Sequence, residues 1–134
     1  MIQVGNELRK EHSPQYIIEE LYNISIKTNK DCVIESIRCP GEIEFLRQFS
    51  SVYIFGIDAN IKNRYERVIR RNSSTDHVSF EKFEEQEAKE LSCEDPFKQN
   101  LSKCIFMANY TFQNDGSIED LYFRIDEVFR SIKS

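Results

Sequence analysis

The chain has 134 residues, the usual size of one domain. With 40% hydrophobic and 31% charged residues, four glycines and three prolines, its composition excludes collagen-like and disordered classes. The net charge of −5 argues against broad binding to nucleic acid, and we expect no nucleic-acid partner. No apolar run approaches the ~20 residues of a membrane span, and charged residues interrupt positions 1–20. We therefore expect a cytoplasmic protein with no membrane partner.

Helices and strands alternate along the predicted chain. In chain order, the apolar spacing and the turn signals first predict a helix over 14–29, a buried strand over 32–37, a helix over 41–49 and a strand over 51–57. They then predict a helix over 60–71, a loop at 72–78 and an acidic helix over 79–91 capped by Ser79. A helix over 96–107, a strand over 109–113, a turn and a helix over 117–132 follow, the last with Ser117 and Asp120 as a capping box. This order predicts an α/β fold in three layers, with a mostly parallel sheet and helices on both faces. All of 1–134 is expected to form a single domain.

The cysteines at 32, 39, 93 and 104 form no Cys-x-x-Cys pair. Structural zinc sites prefer two close pairs, so ordinary thiols are the better interpretation. Because Cys32 and Cys104 adjoin apolar runs, we expect both in the core.

Two short segments carry candidate anion-binding groups. In the first, Gly5 precedes Arg9 by about one helical turn. This spacing lets the backbone at Gly5 and the guanidinium of Arg9 approach one phosphate. The same pattern is also typical of a simple helix start. In the second, Glu35 and Arg38 stand at the end of the predicted strand, where ligands bind in open α/β sheets. Arg38 suits a phosphate and Glu35 suits the water shell of Mg²⁺, while an internal ion pair between Glu35 and an arginine is the structural alternative.

A third segment, 58–71, is strongly basic. Residues 62–71 contain five basic groups and one Glu, and Arg64, Arg67 and Arg71 fall on one helical face. Such a face at the mouth of a parallel sheet suits a polyphosphate. The alternative is a solvated face that the acidic residues of 81–95 neutralise.

No phosphate-binding loop of the G-x-x-x-x-G-K-[ST] type occurs, because the four glycines are followed by Asn, Glu, Ile and Ser. The usual backbone cradle for the β-phosphate of ATP is thus absent from the sequence.

Taken in order, these segments resemble the C-terminal two-thirds of a P-loop nucleotide kinase, across nearly the whole chain. Val4-Gly5-Asn6-Glu7-Leu8-Arg9 resembles a segment of nucleoside monophosphate kinases, and the run from Glu35 to Glu42 resembles the Asp-Gly-x-Arg strand end of archaeal-type nucleotide kinases and of the kinase-like domain of some deoxycytidylate deaminases. The segment from Asp58 to Arg71 resembles the strand and arginine helix that lead into the kinase lid. Segments 100–109 and 114–121 resemble the tail shared with dephospho-CoA kinases.

The resemblance implies a role for each candidate residue. Gly5, Arg9 and Arg38 would bind the phosphorylated acceptor, and Glu35 would serve Mg²⁺ through water. Arg67 and Arg71 would face ATP and the transferring phosphoryl group. The lid-like segment would lie at about 68–90, and Arg64, Arg70 and Asp76 would serve the lid. ATP and Mg²⁺ are the implied cofactors, and a nucleotide or CoA precursor is the implied acceptor.

The departures from the family pattern shape the expected function. Ser36 stands where the family usually has Gly, and Asn109 where it often has Asp. The family's first strand and P-loop have no counterpart here, so the resemblance predicts an N-terminally incomplete domain that is inactive, or nearly so, by itself. The alternatives are a non-catalytic module that binds nucleotide phosphates or regulates, and a split subunit that takes a strand from a protein partner or a missing N-terminal segment.

Overall fold

The structure is a computed structural model that describes residues 2–71, 78–91 and 100–134. Its elements are helices α1 (Ile2–Glu11), α2 (Tyr16–Lys27) and α3 (Pro40–Leu46), strand β1 (Phe55–Asp58), helices α4 (Ile61–Arg71), α5 (Phe80–Leu91) and α6 (Leu101–Met107), strand β2 (Tyr110–Gln113) and helix α7 (Ile118–Lys133). Within the described ranges no helix is long and apolar enough to cross a membrane.

The two strands pair in parallel, with Phe55 opposite Tyr110 and Asp58 opposite Gln113. Helices α4, α5 and α6 lie between the strands in sequence, as a parallel connection requires. Both strands therefore end at the same edge of the sheet, where α4 and α7 begin shortly afterwards.

Helices cover both faces of this strand pair. On one face the Phe55 ring contacts Tyr110, Phe112 and, from α7, Phe129. On the other face Gly56 lies against α6, since a Cβ at this position would stand only 3.4 Å from the Cα of Ile105. Helices thus lie on both faces of the described strand pair. The described sheet has two strands, however, and the three-layer α/β class stays a prediction.

The core lies on the α6 side of the sheet. Buried side chains from four parts of the chain meet there: Ile18, Ile43, Leu46, Ile54 and Cys104. The half-buried rings of Tyr22 and Phe49 stack beside this cluster, with their centroids 4.1 Å apart. Burial of these side chains, at about 1.5–3 kcal/mol each, joins α2, α3 and α6 to β1.

The predicted strand at 32–37 is wrong, because these residues have no ladder partner among the described residues. Ile34 and Ile37 pack against the core, but Val33 is 88% exposed. The apolar run thus supplies anchors for an extended segment and does not form a strand. Cys32 is exposed and the prediction that it is buried is wrong, whereas Cys104 is buried as predicted.

Several predicted element ends are shifted. The strand expected at 51–57 is confined to Phe55–Asp58. Gly5 lies inside α1 and not before it. The side-chain caps are confirmed: the Ser79 Oγ accepts from the Lys82 N–H and the Ser117 Oγ from the Asp120 N–H. Of the helix predicted at 96–107, residues 96–99 lie outside the described residues, as do Cys93 and Asp76.

Candidate functional site

A buried ion pair joins α1 to α3. The Arg9 Nη2 and Nε donate to the Glu42 Oε1 over 3.1 and 3.3 Å, and the two residues are only 7% and 3% exposed. Arg9 also donates to the Asn6 side chain. The structure thus places the predicted acceptor residue Arg9 inside the protein, with its charge balanced by Glu42.

The second oxygen of Glu42 fixes the backbone in front of α3. Its Oε2 accepts from the N–H groups of Arg38 and Cys39, each over 3.1 Å. These donors have no partner inside the helix, so Glu42 acts as the N3 member of a capping box with Pro40 at the first helical position. Through Glu42, Arg9 therefore determines where the chain at Arg38 lies.

Two glycines permit this packing. A Cβ on Gly5 would lie 3.2 Å from the Arg9 Nη1, so the absence of a side chain lets the guanidinium cross α1. A Cβ on Gly41 would lie 2.8 Å from the Cβ of Pro14, a distance that real contacts do not reach. Gly5 thus contacts the candidate group Arg9, and Gly41 sets the approach of α3 to the chain before α2.

Arg38 and Glu35 both expose their side chains to solvent. Between them Ser36 adopts φ 66°, the left-handed conformation in which glycine carries no steric penalty. No described side chain pairs with Glu35, so the internal ion pair of this region is Arg9–Glu42 and not one with Glu35. Arg38 is available to an anion, and its carbonyl accepts from the Asn100 N–H at the start of α6.

Two buried thiols adjoin this region. Burial raises the pKa of Cys39 to about 11, and the nearby Glu42 carboxylate adds to the shift. Burial likewise raises the pKa of Cys104 to about 12, with a further contribution from Cys39. Both groups stay protonated at neutral pH and behave as core residues rather than nucleophiles.

A second cluster forms where β1 ends. The Arg64 Nη1 donates to the Asp58 Oδ1 over 2.8 Å and to the Ala59 carbonyl, while the Nε and Nη2 donate to the carboxylate of Glu87 on α5. The hydrogen bond to Glu87 raises the pKa of Arg64 above its ordinary value. Glu87 of the acidic helix α5 therefore neutralises the charge of Arg64 on the basic helix α4.

The turn after β2 is tied to the start of α4. The Asp115 Oδ1 accepts from the Asn60 N–H and the Asn63 Nδ2 over 2.7 and 2.9 Å, and its Oδ2 accepts from the Gln113 Nε2 over 2.7 Å. These hydrogen bonds, the one from Gln113 first, lower the pKa of Asp115. Arg67 adds a hydrogen bond of 2.8 Å from its Nη2 to the Asn114 carbonyl.

The remaining lid candidates are more exposed. Arg70 lies 4.0 Å from Glu66 on the same helix, and Arg71 is the exposed last residue of α4. The structure thus brings Arg64 and Arg67 to the sheet end, but it does not place Arg71 in that cluster, and Asp76 lies outside the described residues.

Neither cluster is a metal cage. Among the described residues no three His, Cys, Asp or Glu side chains converge. Glu35 offers one exposed carboxylate, which suits a contact to a cation through water but is too few ligands to hold one alone. The exposed Arg38 and the two arginines at the sheet end, Arg64 and Arg67, carry the guanidinium group, a side-chain type that binds phosphate in proteins.

Sequence reasoning missed three acidic residues of these clusters: Glu42, Glu87 and Asp115. Glu42 carries a usable signal, since it stands three residues after Cys39 at a Pro-Gly helix start. Asn109 stands where the resembled family often has Asp, and its side chain still supplies an acceptor oxygen. Its Oδ1 accepts from the Ile54 N–H over 2.8 Å.

Comparison with known proteins places the chain in a family. No family model and no solved structure matches it. It is 30% identical over 128 residues to a UPF0200 protein of Pyrobaculum aerophilum, which covers 94% of the chain and 70% of that relative. It is 25% identical over 122 residues to one of Staphylothermus marinus, and 33% identical over 100 residues to one of Thermoplasma volcanium, covering 91% and 74% of the chain.

The chain spans only 61% and 52% of the length of the last two relatives. The names of these relatives state no activity. On the match to the Pyrobaculum protein, the chain belongs to the UPF0200 family.

Proposed function

We propose that this chain forms the acceptor and lid parts of an enzyme that transfers a phosphoryl group from ATP, with Mg²⁺, to a nucleotide or CoA-precursor acceptor. The observation that carries the proposal is the position of α4. This basic helix begins directly after β1, and its Arg64 and Arg67 bind at the ends of both parallel strands. Ligands of open α/β sheets bind at that edge, and phosphoryl transfer depends on positioned cations there.

The acceptor side of the proposal centres on Arg38. Its side chain is exposed, while its backbone is fixed by Glu42 and Asn100. A guanidinium on a fixed backbone can bind a phosphate with two parallel hydrogen bonds at low entropic cost. In this scheme Arg9 is a positioning residue, because its guanidinium pairs with Glu42 inside the protein.

The donor side would use the arginines of α4 toward a polyphosphate. When bound, Mg²⁺ neutralises phosphate charge and is held mainly by the nucleotide, with Glu35 as an outer contact through water. The residues that we assign to transfer itself are therefore cations: they orient the two substrates and offset the charge of the phosphoryl group.

Calorimetric titration with a panel of nucleoside and CoA-precursor monophosphates tests the acceptor site. We expect one class to bind, and Arg38→Ala to weaken that binding about tenfold to a hundredfold, the loss expected for a charge-assisted hydrogen bond. Arg47→Ala removes an equally exposed arginine from the end of α3 and is the matched control. The proposal is wrong if no monophosphate binds, or if both variants weaken binding equally.

An ATP turnover assay separates the enzyme from the non-catalytic alternative. The lack of a Gly-Lys pair favours turnover by this chain far below the roughly 1 s⁻¹ of ordinary kinases. Monophosphate binding without any transfer, by this chain or by the longer relatives, would favour a binding or regulatory module.

The free edge of β1 favours a second candidate, a subunit completed by another polypeptide segment. Because the Tyr110 N–H donates to the Ile54 carbonyl, the alternate residues Tyr53, Phe55 and Ile57 direct their backbone groups away from β2. Among the described residues no strand pairs with that edge, and Ile57 is 50% exposed. An added strand would satisfy these groups. Sedimentation that shows a stable monomer under all conditions would count against this candidate.

A further inference from the structure

The guanidinium of Arg64 has two edges with different partners. The Nη1 edge is held at the end of β1 by the Asp58 carboxylate and the Ala59 carbonyl. The Nε–Nη2 edge receives both carboxylate oxygens of Glu87, with Nε–Oε1 at 2.9 Å and Nη2–Oε2 at 2.5 Å. Glu87 thus occupies the bidentate position by which arginine also binds phosphate.

Glu87 reaches this position from another helix and is not fully buried. The side chains of Arg64 and Glu87 are 27% and 18% exposed, so an anion from solvent has access to the pair. A phosphate offers the same pair of acceptor oxygens as a carboxylate and carries more negative charge, so it can compete with Glu87 for this edge of the guanidinium. Asp58 would keep the guanidinium in place during such an exchange.

The other attachment of α5 to α4 lies nearer its start. The Tyr65 ring packs against Phe80 and Phe83, and its hydroxyl donates to the Val78 carbonyl over 2.8 Å. Glu87 stands one helical turn beyond Phe83, on the same face of α5. The aromatic contact at Tyr65 and the ion pair at Glu87 are thus separate attachments of α5 to α4, so the ion pair can open while the aromatic contact stays.

The charges of the two helices support this exchange. Helix α4 carries five basic residues and one acidic residue, whereas α5 carries five acidic and two basic residues. A polyphosphate that approaches α4 therefore meets α5 as a competitor for the same cations.

We propose that Glu87 is an internal substitute for phosphate at Arg64, and that a polyphosphate displaces it and releases α5 from α4. The inference deepens the donor side of the proposed function and rests on it for the identity of the ligand. We call the Arg64–Glu87 ion pair the latch. Its test follows helix α5 and a substitution at Glu87, and neither of these includes the Arg38 acceptor site.

The experiment combines calorimetric titration of the chain with inorganic tripolyphosphate and hydrogen exchange of the α5 amides. In the wild-type chain we expect binding that lowers the protection of α5, while the amides of β2 and α7 remain unchanged. In Glu87→Gln we expect binding about threefold to tenfold tighter, since the competing carboxylate is removed. Glu85→Gln removes an exposed charge from the same helix and is the matched control.

Each result of this experiment either supports or overturns the displacement of Glu87 by polyphosphate. Tighter binding by Glu87→Gln and wild-type affinity in Glu85→Gln support the latch. Equal gains in both variants indicate a long-range charge effect and overturn it. Lower α5 protection in Glu87→Gln with no gain in affinity indicates a purely structural ion pair and also overturns it. If the Glu87→Gln result overturns the latch while monophosphates still bind at Arg38, the acceptor proposal is unaffected. If no monophosphate binds at Arg38 but Glu87→Gln binds tripolyphosphate more tightly, the latch is unaffected.

Discussion

Arg9 and Glu42 form an ion pair that is buried on both sides, with Nη2 and Oε1 3.1 Å apart, although 33 residues separate them in sequence. A buried charge is tolerated when a countercharge and hydrogen bonds satisfy it, and Glu42 uses both oxygens in this way. The pair links α1 to the segment that presents Arg38, so the acceptor proposal depends on it.

Replacement of Arg9 by Met should strongly destabilise the protein. The substitution leaves the Glu42 carboxylate buried without its countercharge, a change that typically costs about 3–5 kcal/mol. Urea denaturation measures the free energy of unfolding. Arg47→Met, at an exposed arginine, is the control and should change it by less than about 0.5 kcal/mol. Similar losses in the two variants would contradict the buried role of Arg9.

Replacement of Ser36 by Gly should stabilise the protein by up to about 1 kcal/mol. Ser36 has φ 66°, a conformation that costs a residue with a Cβ about 1–2 kcal/mol, and part of this gain is offset by the greater freedom of glycine in the unfolded chain. Ser36→Ala keeps the Cβ and should bring no gain. Thermal unfolding of both variants separates backbone strain from loss of the hydroxyl, and a gain in Ser36→Ala would contradict the strain argument.

Replacement of Gly41 by Ala should destabilise the protein by about 1–3 kcal/mol, the usual cost of overpacking. The new Cβ would stand 2.8 Å from the Pro14 Cβ, so α3 or the chain before α2 has to move. Gly116→Ala is the control, because the nearest atom to its Cβ is the Asp120 carboxylate at 3.7 Å, an ordinary contact. Equal stability of the two variants in urea denaturation would show that the contact at Gly41 relaxes without cost.

Local pattern predicted the six helices from α2 to α7 but not α1, and it predicted the sheet in part. Helix α7 follows from apolar periodicity and a serine cap, both of which are contained in neighbouring residues. The segment 32–37 has the composition of a strand, but strand formation needs a partner, and the described residues offer none. Composition cannot reveal that, because pairing is a property of distant parts of the chain.

The candidate site, like the sheet, could be predicted from the sequence only in part. The basic face of α4 is visible in the spacing of Arg64 and Arg67, and both residues do lie at the sheet end. The partners that occupy them are not visible, since Glu87 is 23 residues from Arg64 and is one of several glutamates in an acidic run. Only the resemblance singles out the Ser36 position, and its positive φ is a conformation in which glycine would carry no steric penalty.

The stability of the protein should fall as the pH rises above about 9. In the folded state burial raises the pKa of Cys39 to about 11 and that of Cys104 to about 12, whereas unfolded thiols titrate near 9. Above that value the unfolded chain releases protons that the folded chain retains, so alkali favours unfolding. The stabilising contribution of the two thiols is therefore complete below pH 9 and is lost as the pH rises toward 11 and 12.

Urea denaturation from pH 7 to 11 measures this effect, with the variant Cys39→Ala, Cys104→Ala as comparison. The variant should be less stable at pH 7, because it loses buried volume, but its stability should depend less on pH above 9. All other ionisable groups are the same in the two proteins, so their contributions cancel in the difference. Equal slopes would mean that the thiols ionise in the folded state as readily as in the unfolded chain. Labelling at pH 8 provides an independent reading: the exposed Cys32 should react at once, and Cys39 and Cys104 only as the protein unfolds.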